Sequence, residues 1–79
     1  MTIYFLTCKD KNEARKIAKA LLENKLIACC RMSSIESLYW WDDQINQDDE
    51  VLLMMESVPG KFEDIEKVVA DNHSYEQFV

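Results

Sequence analysis

Residues 3–8, IYFLTC, and 51–56, VLLMME, carry apolar side chains without the alternation that a half-solvated strand shows. In an extended chain Ile3 and Phe5 fall on one side and Tyr4 and Leu6 on the other. Leu52 and Met54 oppose Val51, Leu53 and Met55 in the same way. A sheet built from such strands needs cover on both faces. Any fold open to this chain must find that cover in its own helices or in another surface.

The helices available are two. Asp10 stands three residues before Glu13, the spacing at which an N-cap carboxylate and a first-turn glutamate each satisfy an orphan backbone N–H. Behind it Ala14, Ile17, Ala18, Leu21 and Leu22 recur at helical spacing, with Lys11, Arg15, Lys16, Lys19 and Glu23 on the opposite side. Asn24 and Lys25 stop this helix. The second apolar stripe, Phe62, Ile65, Val68 and Val69, runs to about Asn72, with Pro59 placed in the first turn. Between the helices, LIACCRM (26–32) and IESLYWW (35–41) read as strands parted by Ser33 and Ser34. DDQINQDD reads as a polar connector, so that residues 35–56 form a long hairpin.

The resulting order, β-α-β-β-α with a further strand able to follow, is that of the split βαβ unit. It predicts an α+β, ferredoxin-like sandwich: an antiparallel sheet with both helices on one face. Two helices cover one face only, and the strands are apolar on both. A homo-oligomer is therefore expected, with Tyr39, Trp40, Trp41, Leu53 and Met55 at the contact. At 79 residues an isolated fold buries only about 60–65% of its unfolded surface, which also favours help from a partner chain.

Charge excludes several classes. The net charge is −6, Asp42, Asp43, Asp48, Asp49 and Glu50 crowd one segment, and no basic stripe exists for nucleic-acid phosphates. The acidic segment lacks the regular alternation and the glycine of a calcium loop. No apolar run reaches a membrane span and the N-terminus carries no basic lead or cleavage site, so a cytoplasmic protein without a membrane partner is expected. Three cysteines, two of them adjacent, make no disulfide framework, in keeping with a reducing compartment. One glycine, Gly60, leaves no phosphate-cradling loop, and no nucleophile is paired with a second histidine; a non-enzyme is expected.

Taken together, LTCKD, LLENKLIACC, SLYWWDDQI, DDEVLLMME and HSYE, in this order and spacing, resemble the CutA divalent-cation tolerance family from residue 1 to about residue 76. The resemblance implies a ferredoxin-like protomer related in architecture to the PII nitrogen-regulatory proteins, and a compact homotrimer assembled through its hairpin. It implies a cytoplasmic protein linked to tolerance of copper and other divalent metals, with no established reaction. The family's motifs fall on Thr7, Cys8 and Asp10, on Cys29, on Ser37, Tyr39 and Trp41, on Glu50, and on His73, Tyr75 and Glu76. Lys9 and Ser74 replace usual prolines, Asp43 a common turn glycine, and Glu56 a frequent lysine. The family continues past this last motif with another strand and a helix, so residues 1–79 are expected to be one CutA-like domain truncated at its C-terminus.

Candidate metal donors are His73, Glu76 and Cys8. His73 and Glu76, three apart, share one face if the helical turn persists, and Cys8 ends the first strand. Imidazole, carboxylate and thiolate suit copper or zinc, and copper(II) stands highest in the affinity order. Two readings of His73 stand: ligand, or polar helix terminus stabilised by the helix dipole. Cys8 is either a ligand or a small buried hydrophobe. Cys29 and Cys30, adjacent on a strand, face opposite ways and do not chelate together. Met54 and Met55 read as core or interface filler. Two functions follow: a metal-binding tolerance oligomer, or a non-catalytic adaptor whose intersubunit clefts receive a small ligand or a protein.

Overall fold

The structure is a computed structural model and describes residues 1–72. Strand β1 (Thr2–Cys8) leads to helix α1 (Lys11–Glu23), then to β2 (Cys29–Trp41), β3 (Gln44–Ser57) and α2 (Phe62–Asn72). The sheet is antiparallel in the order β1-β3-β2, so the last of the three described strands in sequence lies in the middle. Both helices pack on one of its faces and on each other.

The ends of α1 form as their residues dictate. Asp10 is extended and accepts the Glu13 N–H at 2.8 Å, while the Glu13 carboxylate reaches back to the Lys9 N–H at 3.1 Å. At the other end the Lys25 N–H bonds the Leu22 carbonyl and the Leu26 N–H bonds that of Leu21. This is a Schellman closure, and it places Lys25 at φ 57°, where glycine is the usual occupant. The closure turns Leu26 and Ile27 into the core instead of into a strand.

Three expectations are corrected here. The two strands expected at 26–32 and 35–41 are one, Cys29–Trp41, because Ser33 and Ser34 pair with Leu52 and Val51 in an unbroken ladder. The polar connector is almost wholly strand: only Asp42 and Asp43 turn, at φ 53° and 59°, the positive values of a type I′ hairpin. Pro59 precedes α2 in a turn with Gly60 at φ 92°, and the helix starts at Phe62.

Packing sorts the apolar residues by face. Leu6 and Cys8 of β1 and Val51, Leu53 and Met55 of β3 point at Ala14, Ile17 and Leu21 of α1 and Ile65 and Val69 of α2. Leu53 and Met55 were expected at a subunit contact; with 0% and 2% exposure they belong to the protomer core. Their alternation partners Leu52 and Met54 face the other way, beside Ile3 and Phe5, on the face that neither helix covers.

This assignment is directly testable. Leu53→Ala should lower the stability of the fold itself by about 2–5 kcal/mol, the cost of a core cavity. Equilibrium unfolding in urea checks it; a loss under about 1 kcal/mol would place Leu53 outside the core.

Candidate functional site

Past Ser34 and Val51 the helices end and the sheet does not. Residues 35–41 and 44–50 continue as a two-stranded arm in which, among the described residues, each strand pairs only with the other. The arm gives the protomer its length, 40 Å against 23 and 20 Å across. It is also where large apolar side chains meet water: Leu38, Trp40, Trp41 and Ile45 are 66–72% exposed. Register puts Leu38, Trp40 and Ile45 on one side of the ribbon and Ile35, Tyr39 and Trp41 on the other. The Tyr39 hydroxyl donates to Asp48 and the Gln47 amide to Glu36, bonds that hold the two strands side by side. Asn46 donates to the carbonyls of Trp41 and Gln44 and braces the turn. Tyr39, Trp40 and Trp41 thus stand where an intermolecular contact can use them.

At the root of the arm lies an open cleft of about 540 Å³. Lys9, Asp10 and Lys11 at the start of α1 form one wall, and Ser34, Ile35, Glu36, Asp49 and Glu50 of the arm the other. Lysines and carboxylates therefore face one space.

The expected metal donors are not brought together by the described residues. His73 and Glu76 lie outside them. Cys8 is fully buried and its thiol is pushed up to about 12, first by burial and then by the nearby Glu13 carboxylate. Of the two readings of Cys8, its place among the buried core residues favours the small hydrophobe. Among the described residues no three His, Cys, Asp or Glu side chains converge as a metal site would need.

One cluster on the helix-free face escaped the sequence reading. The Cys29 thiol donates to Glu56 Oε2 at 2.6 Å, Arg31 lies 3.3 Å from the same oxygen, and its guanidinium donates to Cys29 Sγ at 3.4 Å. Glu56 is held below the usual carboxylate range, first by the Cys29 thiol and then by Arg31. The thiol is pushed up in return, chiefly by that same bond. The Arg31 guanidinium beside this thiol and carboxylate opposes a cation there by like-charge repulsion. The signal that would have found the cluster is the turn: with Asp42 and Asp43 at its tip, each step back along β2 matches a step forward along β3, and Cys29 meets Glu56. Cys29 and Cys30 do face opposite ways, Cys30 toward the core.

A three-stranded antiparallel sheet with two helices on one face, in this order, defines a ferredoxin-like protein, here extended by an exposed hairpin arm. The chain belongs to the CutA1 divalent ion tolerance protein family, whose model matches residues 2–78. It is 35% identical over 71 residues to the divalent-cation tolerance protein CutA of Archaeoglobus fulgidus, spanning 90% of this chain and 70% of that one. It is 31% identical over 74 residues to that of Thermococcus kodakarensis, spanning 94% and 71%. Among solved structures, CutA1 of the psychrotrophic bacterium Shewanella sp. SIB1 superposes with a TM-score of 0.90 at 38% identity, covering 96% of this chain and 72% of that one. CutA1 of Pyrococcus horikoshii reaches 0.91 at 28% identity, covering 100% and 78%. The family is one of divalent-cation tolerance, not one defined by a catalysed reaction.

The state of Cys8 has a consequence for stability. Unfolded, its thiol ionises near pH 9.0; folded, it keeps the proton to about 12. Above pH 9 the unfolded chain therefore binds fewer protons than the folded one, and stability falls as pH rises, by up to about 1.4 kcal/mol per pH unit from this group. Cys8→Ala should be less stable at pH 7 and lose this component of the slope between about pH 9 and 11 in urea unfolding. Parallel slopes for the two proteins would contradict it.

Proposed function

We propose that this chain is a cytoplasmic, homotrimeric divalent-cation tolerance protein that responds to copper or another divalent ion by binding it. Its role is binding and assembly, with no reaction of its own. The observation that carries the reading, beside family membership, is the arm. It sets four large apolar side chains, Leu38, Trp40, Trp41 and Ile45, largely in water. Aromatic groups concentrated on a protruding ribbon are the composition of an interface core, and a two-stranded ribbon is marginal without a surface to lie on. Copies of the chain supply that surface for one another.

His73 and Glu76 remain the proposed donors, now without Cys8. Imidazole and carboxylate together favour copper(II) and zinc over the hard cations. The second reading, an adaptor whose clefts receive a small ligand or a protein, draws on the cleft at the root of the arm. Its lysines and carboxylates would suit a ligand bearing both charges.

Two measurements test the proposal. In calorimetry with copper(II), His73→Ala should weaken binding by at least about tenfold, since losing even a supporting partner of a metal ligand costs about 10–100-fold. Cys8→Ala should bind as wild type does. Equal affinity and stoichiometry for wild type and His73→Ala would defeat the metal site and leave the adaptor reading. In light scattering at micromolar concentration the wild type should have the mass of three copies. Trp41→Glu should fall to the mass of one while keeping its circular dichroism, because it buries an unpaired charge only when copies meet. A monomeric wild type would end the assembly reading.

A further inference from the structure

The outer edge of β1 is open. Among the described residues β1 pairs with β3 alone, so alternate backbone N–H and C=O groups along its other side point away from the sheet. Natural edge strands are protected by charge, proline, a bulge or a covering element. Residues 2–8, TIYFLTC, carry no charge, proline or glycine, and their pairing with β3 runs without a bulge. β2, at the opposite edge of the sheet, carries Arg31 and Glu36. The β1 edge thus has the composition of a strand that pairs, not of one that faces water.

Beside this edge runs an apolar groove of about 380 Å³. Helix α2 rests on α1, and Phe62 in its first turn reaches the strand through a ring contact with Tyr4, the centroids 5.7 Å apart. Phe62, Ile65 and Val69 of α2 line one wall and residues 3–6 of β1 the other, so the groove follows the strand. Ile3, Phe5 and Phe62 are 44–49% exposed, which leaves apolar surface open to water along it. An occupant has to satisfy an open main-chain edge and fill an apolar slot at once. An extended peptide does both, its backbone continuing the ladder while alternate side chains enter the slot. A compact small molecule does only the second.

Charge narrows the choice of peptide. Helix α2 carries Glu63, Asp64, Glu66 and Asp71 against Lys67. Glu66 is exposed and stands one helical turn after Phe62, so a carboxylate flanks the slot. A second copy would bring the same carboxylates to the same edge, and residues 73–79, HSYEQFV, carry Glu76 and no lysine or arginine. A strand with basic residues beside its apolar ones complements the site better than either. We propose that the β1 edge and the groove under α2 form a docking site for an extended apolar segment of another protein, flanked by lysine or arginine, which adds to the sheet as a strand next to β1. The site is separate from the arm, from the cleft at its root and from the metal donors, and it goes beyond the functions proposed above.

The test uses the full chain and labelled synthetic peptides, read by fluorescence anisotropy. A peptide as long as β1, alternating valine and threonine between two lysines, should bind saturably. A proline at its centre removes ladder hydrogen bonds and should weaken binding at least about tenfold. Glutamates in place of the end lysines should weaken it about threefold or more. Glu66→Lys, a change at an exposed position, should narrow or reverse that preference for lysine ends. Hydrogen exchange gives an independent readout: the outward amides of β1 should exchange freely in the chain alone and become protected when the lysine-ended peptide is added. Amides already protected without peptide would mean that residues 73–79 or a second copy cover the edge, and would overturn the proposal. No saturable binding, or equal binding of the proline peptide, would overturn it as well. Equal affinity for lysine and glutamate ends, or a preference untouched by Glu66→Lys, would overturn its choice of a basic partner.

Discussion

Strand β3 is hydrogen-bonded along both edges, to β1 on one side and β2 on the other, and the rest of the structure hangs on that double register. It sets Leu53 between Leu6 and Met32, and Met55 between Tyr4 and Cys30, so one row of side chains lies under the helices. The intervening row, Leu52, Met54 and Glu56, is turned to the opposite face. Because side chains alternate strictly along a strand, a slip of one residue would exchange the rows. Glu56 would then lie under α1 and α2, and Leu53 in water. The large burial gained by Leu6, Leu53, Met55, Ile17, Leu21 and Ile65 holds the register against that slip.

The same ladder carries β2 and β3 past the helices. At the tip the chain reverses in two residues, both at positive φ and neither a glycine, a conformation that costs about 1–2 kcal/mol each for ordinary side chains. Asp is among the residues that tolerate it best, and the Asn46 side chain supports the reversal by bonding carbonyls on both sides. Cross-strand pairs such as Tyr39 with Asp48 hold the arm together where no core lies beneath it. The exposed tryptophans are thus held on a defined frame, not on a loose loop.

How far this was legible in the sequence differs by element. Helix α1 was readable almost to the residue, because its signals are local: an N-cap, a stripe at 3.6-residue spacing and a stop. Leu22, at the edge of the stripe, ends up largely exposed. The strands were readable as strands but not in extent. Ser33, Ser34 and the run from Gln44 to Asp49 have turn-like composition, and only their partners across the ladder make them strand. Which row of β3 is buried also depends on the helices above it, so Leu53 and Met55 looked like contact residues when they are core. Of the site, the aromatic arm was visible and the Arg31–Glu56–Cys29 cluster was not, since it joins residues 27 apart through a register set at a distant turn.

For a chain of a divalent-cation tolerance family, the placement of its sulfur is instructive. All three thiols are pushed above their ordinary range, each for its own reason: Cys8 and Cys30 chiefly by burial, Cys29 by donating to Glu56. Each therefore holds its proton more tightly than a free thiol does, and an ion bound by any of them has to displace that proton. Carboxylates, in contrast, stand exposed along the arm and at its tip, with a net charge that draws cations toward them. A divalent ion approaching the described part of the molecule meets oxygen before it meets sulfur. Soft thiolate capture therefore carries a proton-displacement cost set by the fold, a cost that the exposed carboxylates do not carry.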